Sequence, residues 1–288
     1  MAERGIQLKT RGELQAMRAS GLVLAEAIAR GRAVVAPGVS TLDVNDAVAA
    51  VITDAGATSN FLHYGARGAD PGFPATICAS VNDEVVHGIP TAARILREGD
   101  LLSIDAGCIL DGWHADSAVS IHVGNPPPDD QGLAETDLIN ACERAMWAGI
   151  CAAGPNGRLG DVSWAIDNAV HEAAELDGRR YGSVAGYGGH GIGTAMHMAP
   201  FVANQGKRGK GPRLVAGTAL AIEPMITLGK PATRELADGW TVVTRDGARA
   251  AHWEHSIAIT DDGVSVLTAA DGGVAGLARF GVTPVSLD

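Results

Sequence analysis

Four carboxylates and one imidazole stand in this sequence where the neighbouring residues are apolar and charge is costly. Asp105 closes the run Leu-Leu-Ser-Ile-Asp, and Asp116 sits in Trp-His-Ala-Asp-Ser. Glu223 closes Leu-Ala-Ile-Glu ahead of a proline, and Glu254 sits in Trp-Glu-His-Ser-Ile. His190 lies in a glycine-rich stretch, where backbone can approach a ligand closely. A buried carboxylate must be paired, hydrogen-bonded or metal-bound. One alone is more often a hydrogen-bonded structural acid. Four together, with no Lys or Arg in 98–143 to neutralise Asp105 and Asp116, point to divalent cations as the counter-charge. Such an oxygen-rich set suits a pair of Mn²⁺, Fe²⁺, Co²⁺ or Zn²⁺ ions rather than a structural zinc. Two ions about 3.5–4 Å apart would share carboxylates and a water.

These residues need elements to hold them. Thr10-Arg11-Gly12-Glu13 is a capping box, and Leu14, Met17, Gly21, Leu24 and Ile28 follow at helical spacing. A second helix is predicted at about 42–55, with Val44, Val48, Val51 and Ile52 inward and Gly56 as its stop. Further helices are expected near 132–153 and 160–176. Strands are expected at 75–81, 101–108, 113–123, 220–226, 240–244 and 256–260. Leu110-Asp111-Gly112 signals a hairpin turn, which would bring Asp105 and Asp116 side by side. Residues 186–193 read as a glycine-rich loop, and those after Thr268 as a Gly- and Ala-rich tail that packs loosely or not at all.

An offset of 118 positions carries Pro37 to Pro155, Asp43-Val44 to Asp161-Val162, Gly99 to Gly217 and Asp105 to Glu223. One offset that holds across a helix, a turn and a strand implies two related halves. They would face each other across one cleft, with Asp105 opposite Glu223.

Composition excludes several classes. The net charge of −11 argues against nucleic acid or an anionic membrane as partner, because phosphate contacts need clustered Lys and Arg. The one basic cluster, Lys207-Arg208-Gly209-Lys210, reads as a solvated loop. The four cysteines (Cys78, Cys108, Cys142 and Cys151) form no C-x-x-C pair, so thiolate zinc and redox pairs are not expected. No long apolar run spans a membrane, and residues 1–10 have no apolar leader segment, so a cytoplasmic protein is expected. Gly186-Tyr-Gly-Gly-His-Gly191 fits the dinucleotide pattern G-x-G-x-x-G. It precedes no convincing helix and is rejected as a nucleotide site.

Taken together, Asn82-Asp-Glu-Val-Val-His-Gly-Ile-Pro90, the Asp105/Asp116 hairpin, Gly189-His-Gly-Ile-Gly193, Ile222-Glu-Pro-Met225 and Trp253-Glu-His-Ser256 resemble the type I methionine aminopeptidases over about residues 10–268. The resemblance implies an α/β (α+β) pita-bread fold, with two pseudo-twofold halves around a central antiparallel sheet and a dinuclear metal cleft. Residues 1–268 would form a single catalytic domain with halves at about 10–125 and 128–268, followed by the tail 269–288. Asp105, Asp116, His190, Glu223 and Glu254 match the family's ligands for two divalent ions (Co, Mn, Fe, Zn or Ni). His87 and His197 match its substrate-contacting histidines, and Tyr64, Phe73, Cys78, Met196 and Trp240 its methionine pocket.

The implied activity is hydrolytic removal of the initiator methionine ahead of a small second residue. Glu223 would be the proton shuttle, His197 a hydrogen-bond donor to the oxyanion or amide, and His87 a positioning group. Nascent polypeptide N-termini and Met-peptides are the implied substrates, the ribosome a transient partner, and a monomer the expected state. Only 31 positions separate Glu223 from Glu254, too few for the helical insertion of the type II enzymes, and no zinc-finger extension precedes the first helix. The stretch 65–72 is longer than the family's usual pocket loop. Proline-specific aminopeptidases or dipeptidases of the same fold, and non-catalytic homologues, are the competing readings. The former usually carry an N-terminal domain and the latter usually lose metal ligands.

Overall fold

A computed structural model describes residues 5–288. Residues 1–4, the start of the stretch read as lacking a leader, lie outside the described residues. The first half opens with α1 (Arg11–Val34) and α2 (Thr41–Asp54), followed by β1 (Thr58–Ser59), β2 (Ile77–Val81), β3 (Glu84–Val86), β4 (Leu101–Leu110) and β5 (Trp113–His122). The second opens with α3 (Asp130–Ala152) and α4 (Leu159–Asp177), then β6 (Gly182–Ser183), β7 (Gly188–Gly191), β8 (Met198–Ala203), β9 (Ala219–Ile222) and β10 (Met225–Thr227). It continues with β11 (Thr233–Glu235), β12 (Val242–Thr244), β13 (Ala250–His252), β14 (Glu254–Ile259), β15 (Val264–Val266) and α5 (Val274–Ala278).

The helices begin where side chains satisfy their first N–H groups. Thr10 Oγ1 accepts from the Glu13 N–H while the Glu13 carboxylate accepts from the Thr10 N–H at 2.7 Å. Ser40 and Asp43 repeat this at α2. At α4, Asp161 accepts from the Arg158 N–H at 2.8 Å. Ser40 and Arg158 are related by the 118-residue offset, so the second half keeps the acidic part of the box.

The nine-stranded antiparallel sheet runs β1-β4-β5-β14-β9-β7-β8, with β2 beside β4 and β15 beside β14. The offset carries α1 onto α3 and α2 onto α4 to within one residue at their N-termini, and β4 onto β9 and β10. In the strand order β9-β14 mirrors β4-β5, so the pseudo-twofold axis falls between β5 and β14. Each helix pair covers its own half of the sheet. Leu24, Val44, Val48 and Ile104 lie in one core, while Met146, Ile166, Leu220 and Ile257 lie in the other. Trp253, beside the axis, packs against both.

Three expectations change. The stretch 186–193 is not simply a loop, because Gly188–Gly191 is strand β7, paired with both β8 and β9. Its glycines make room for neighbouring backbone. A Cβ on Gly189 would lie 2.2 Å from the Ala221 carbonyl oxygen, and one on Gly191 2.2 Å from that of Ala199. The strand expected at 220–226 is broken at Glu223-Pro224, so that β9 stays in the large sheet and β10 joins β13 and β6. Lys207–Lys210 is a loop as expected, although the Arg208 guanidinium stacks 3.5 Å above the Trp164 ring.

The third change is the tail, which packs. Leu277 and Leu287 are buried, and Gly276 lies so close to Trp147 that a Cβ there would meet its ring at 2.2 Å. The buried Arg18 guanidinium donates to the carbonyls of Leu267 at 2.9 Å and Ala269 at 2.6 Å, and to the Asp288 carboxylate at 2.9 Å. Small residues let this segment approach α1 and α3 closely, and a one-turn helix leaves little periodicity to read. Leu277→Ala is expected to cost about 2–5 kcal/mol of stability by opening a cavity in the second core. Denaturant unfolding checks this, and a loss under about 0.5 kcal/mol would mean that the tail is not part of the cooperative unit.

Candidate metal centre and adjoining pocket

The large sheet gathers the acidic residues from both halves. In the β4-β5 hairpin Asp105 pairs with Ala118 and Asp116 with Gly107, so the two carboxylates are diagonal neighbours on one face. Gly107 cannot carry a side chain there, because a Cβ would fall 2.0 Å from the Asn60 side-chain oxygen. Glu254 begins β14 opposite Ala118. Ser256 Oγ donates to the Asp116 carbonyl at 2.8 Å and accepts from its N–H at 3.0 Å, while Ser117 Oγ donates to the Glu254 carbonyl at 2.9 Å. These bonds lace the axis together and fix the carboxylates against each other. Glu223 follows β9 at the break before Pro224, with its carbonyl held by the Asn204 amide at 3.0 Å.

His190 on β7 reaches the same point. Its Nδ1 lies 2.9 Å from the Gly191 carbonyl, which can only accept, so Nδ1 carries the proton. Nε2 is then a bare lone pair, 3.6 Å from Glu223 Oε1. Burial holds the ring neutral by lowering its pKa to about 4, and the nearby His197 adds to this.

The four carboxylates are uncompensated. Among the described residues, one oxygen each of Asp105, Asp116 and Glu254 is buried without a hydrogen-bond partner, and no Lys or Arg lines the cavity. Burial drives Asp105 up to about 7, with Glu223 adding to the rise and His252 opposing it. Asp116 and Glu254 are raised by burial and then by neighbouring carboxylates, and Glu223 by burial. Such groups cannot all ionise unless a cation joins them. Two dications would balance four carboxylates, and the ligand atoms fall into two compact groups. Asp116, His190 and Glu254 form one, and Glu223, His252 and Glu254 the other, each within 4.8 Å. Glu254 belongs to both groups and Asp105 lines the same cavity, so the donor set fits a dinuclear centre.

The cluster floors a cavity of about 460 Å³, and all twelve side chains singled out in the sequence line it. Phe73, Cys78 and Met196 are buried together with Phe61, and Trp240 closes their side. The Phe73 and Trp240 rings meet edge to face at 5.3 Å. The Tyr64 hydroxyl lies 2.7 Å from His197 Nδ1, and the His197 ring lies 4.4 Å from that of His190. His87 follows β3 in a left-handed backbone conformation, φ 60°, that non-glycine residues rarely adopt. Burial lowers its pKa to about 4. The longer stretch 65–72 leaves Tyr64 in place because reciprocal backbone bonds pin its ends. The Phe73 N–H donates to the Tyr64 carbonyl at 2.9 Å, and the His63 N–H to the Phe73 carbonyl at 2.7 Å.

Sequence reasoning missed His252, along with Phe61, Tyr187 and Phe201 on the walls. His252 lies two residues before Glu254, and strand alternation would have given it the same face. Beginning the predicted strand at Ser256 hid that relation.

The sequence matches the description "Metallopeptidase family M24" over residues 15–261. Methionine aminopeptidase 1 of Mycobacterium tuberculosis is 50% identical over 265 residues, covering 92% of this chain and 96% of that protein. The crystal structure of methionine aminopeptidase from Thermotoga maritima superposes with a TM-score of 0.84 at 34% identity, covering 92% and 99% of the two chains. A prolidase from Pyrococcus furiosus is more distant, with a TM-score of 0.66 at 19% identity over 91% of this chain and 65% of its own, a likeness of fold alone. Strand order, buried acidic cluster and sequence agree: the chain belongs to metallopeptidase family M24.

Proposed function

We propose that this protein is a methionine aminopeptidase that uses two divalent metal ions to remove the N-terminal methionine of nascent proteins and peptides, preferring a small second residue. The observation that carries this is the meeting of five donors, Asp105, Asp116, His190, Glu223 and Glu254, on the floor of an apolar, sulfur- and aromatic-lined cavity. Four free cysteines suit a reducing cytoplasm. No helix among the described residues is long and apolar enough to cross a membrane.

When bound, the ions supply Lewis acidity toward the scissile carbonyl and lower the pKa of water. The protein does the rest. Glu223, at the break after β9 and on the cavity lining, takes the proton of the attacking water and passes it to the leaving amine. With Nδ1 accepting from the Tyr64 hydroxyl, His197 carries its proton on Nε2 and donates to the developing oxyanion. His87 positions the peptide, and its low pKa keeps it neutral. The methionine side chain enters between Phe73, Trp240, Cys78 and Met196, where each sulfur–aromatic contact contributes about 0.3–1.5 kcal/mol.

Cleavage of Met-Ala, Leu-Ala, Lys-Ala, Met-Leu and Ala-Pro peptides tests this reading. Met-Ala is expected to be cleaved best, with Leu-Ala slower by about 10-fold or more and Lys-Ala slower still, since its ammonium would be stranded in the slot. Lys-Ala or Leu-Ala cleaved near the Met-Ala rate would refute the methionine pocket. Preferential cleavage of Ala-Pro would transfer the chain to the proline-specific branch of the fold.

A further inference from the structure

His252 lies outside the five-donor set but faces it. Its Nε2 is 3.4 Å from Glu223 Oε2 and 4.0 Å from Glu254 Oε2. The residue is 2% exposed, and Nε2 has no hydrogen-bond partner among the described residues. A buried ring nitrogen left unpaired is costly, so a structural role alone does not account for this placement.

The backbone around the ring is fixed. Ser120 Oγ accepts from the His252 N–H and donates to its carbonyl, both at 2.9 Å, and is itself bonded to Ser103 Oγ at 2.8 Å. His252 also pairs with Met225, so it belongs to the small β13-β10-β6 sheet, whereas Asp105, Asp116, His190 and Glu254 sit on the large one. The small sheet thus delivers a nitrogen donor beside Glu223 and Glu254. The two ligand groups then become chemically alike, with one imidazole in Asp116–His190–Glu254, one in Glu223–His252–Glu254, and Glu254 in both.

We propose that His252 is a sixth protein ligand of the metal centre and brings it a second imidazole nitrogen beside Glu223. The inference rests on the five-donor centre proposed above and extends it. Neutral imidazole binds borderline ions well, whereas Mn²⁺ favours oxygen. A second nitrogen therefore moves the Glu223 side of the centre toward Co²⁺, Fe²⁺, Ni²⁺ or Zn²⁺.

X-ray absorption on the protein loaded with two Co²⁺ counts imidazoles directly. The wild type is expected to show one imidazole per ion on average, and both His252→Gln and His190→Ala about half that. By calorimetry, His252→Gln is expected to weaken one Co²⁺ site by at least about 10-fold and to affect Mn²⁺ binding less. His252→Asn serves as a second, smaller replacement, and thermal melts verify that each variant folds. A wild-type count of half an imidazole per ion, unchanged in His252→Gln, would overturn the proposal and make His252 a neighbour of Glu223 only. If His190→Ala also left the count unchanged, or if no Co²⁺ bound, the five-donor centre itself would fall.

Discussion

Asp116→Ala is expected to abolish peptidase activity while leaving a folded chain. Asp116 belongs to the Asp116–His190–Glu254 group, and its removal takes one carboxylate from a set in which every member counts. Losing even an outer partner of a metal ligand commonly costs 10–100-fold, so kcat/KM should fall by more than about 100-fold, with at least one metal equivalent lost. Folding should survive for an electrostatic reason. In the metal-free chain Asp116 is a buried carboxylate raised by its own burial and by Asp105 and Glu223, so deleting it removes a repulsion. Its backbone bonds to Ser256 do not depend on the side chain. Thermal melts with and without chelator check the argument. The metal-free variant should melt at or above metal-free wild type and gain little from added metal. Two tightly held ions with full turnover would remove Asp116 from the centre.

His197→Ala should separate chemistry from metal loading. His197 approaches His190 ring to ring but belongs to neither donor group, so metal content should stay at the wild-type level. Loss of an oxyanion donor typically costs about 10²–10³ in kcat. Tyr64→Phe should lower kcat by less, because it removes the hydroxyl partner of Nδ1 without removing the ring. Turnover numbers beside metal analysis decide the matter. An unchanged kcat in His197→Ala with metals intact would leave the ring a purely structural role.

Much of this was written in the sequence because each local signal agreed with the larger pattern. Thr10/Glu13 announced a helix start that the backbone adopts, and the Asp111-Gly112 turn gave the hairpin that pairs β4 with β5. The 118-residue offset, read from a few apolar residues and a carboxylate match, reappears as the axis between β5 and β14. What stayed hidden depended on neighbours distant in the chain. Gly188–Gly191 has a loop composition, yet its glycines answer to Ala199 and Ala221 on flanking strands. The tail's burial is set by Arg18 and Trp147, more than a hundred residues away, and a 20-residue window cannot display that. His252 escaped because its partners, Glu223 and Ser120, come from distant parts of the chain.

The backbone bonds that tie Phe73 to His63 and Tyr64 carry a consequence for how such a chain can change over generations. They close a ring whose interior, residues 66–71, can grow or shrink without moving the two aromatic residues that line the cavity. Loop-closure entropy rises only slowly with length, about 0.6 kcal/mol per doubling. This corner is therefore a tolerant address on the cavity rim, where insertions, labels or a recognition segment can be added and the selectivity of the pocket left alone.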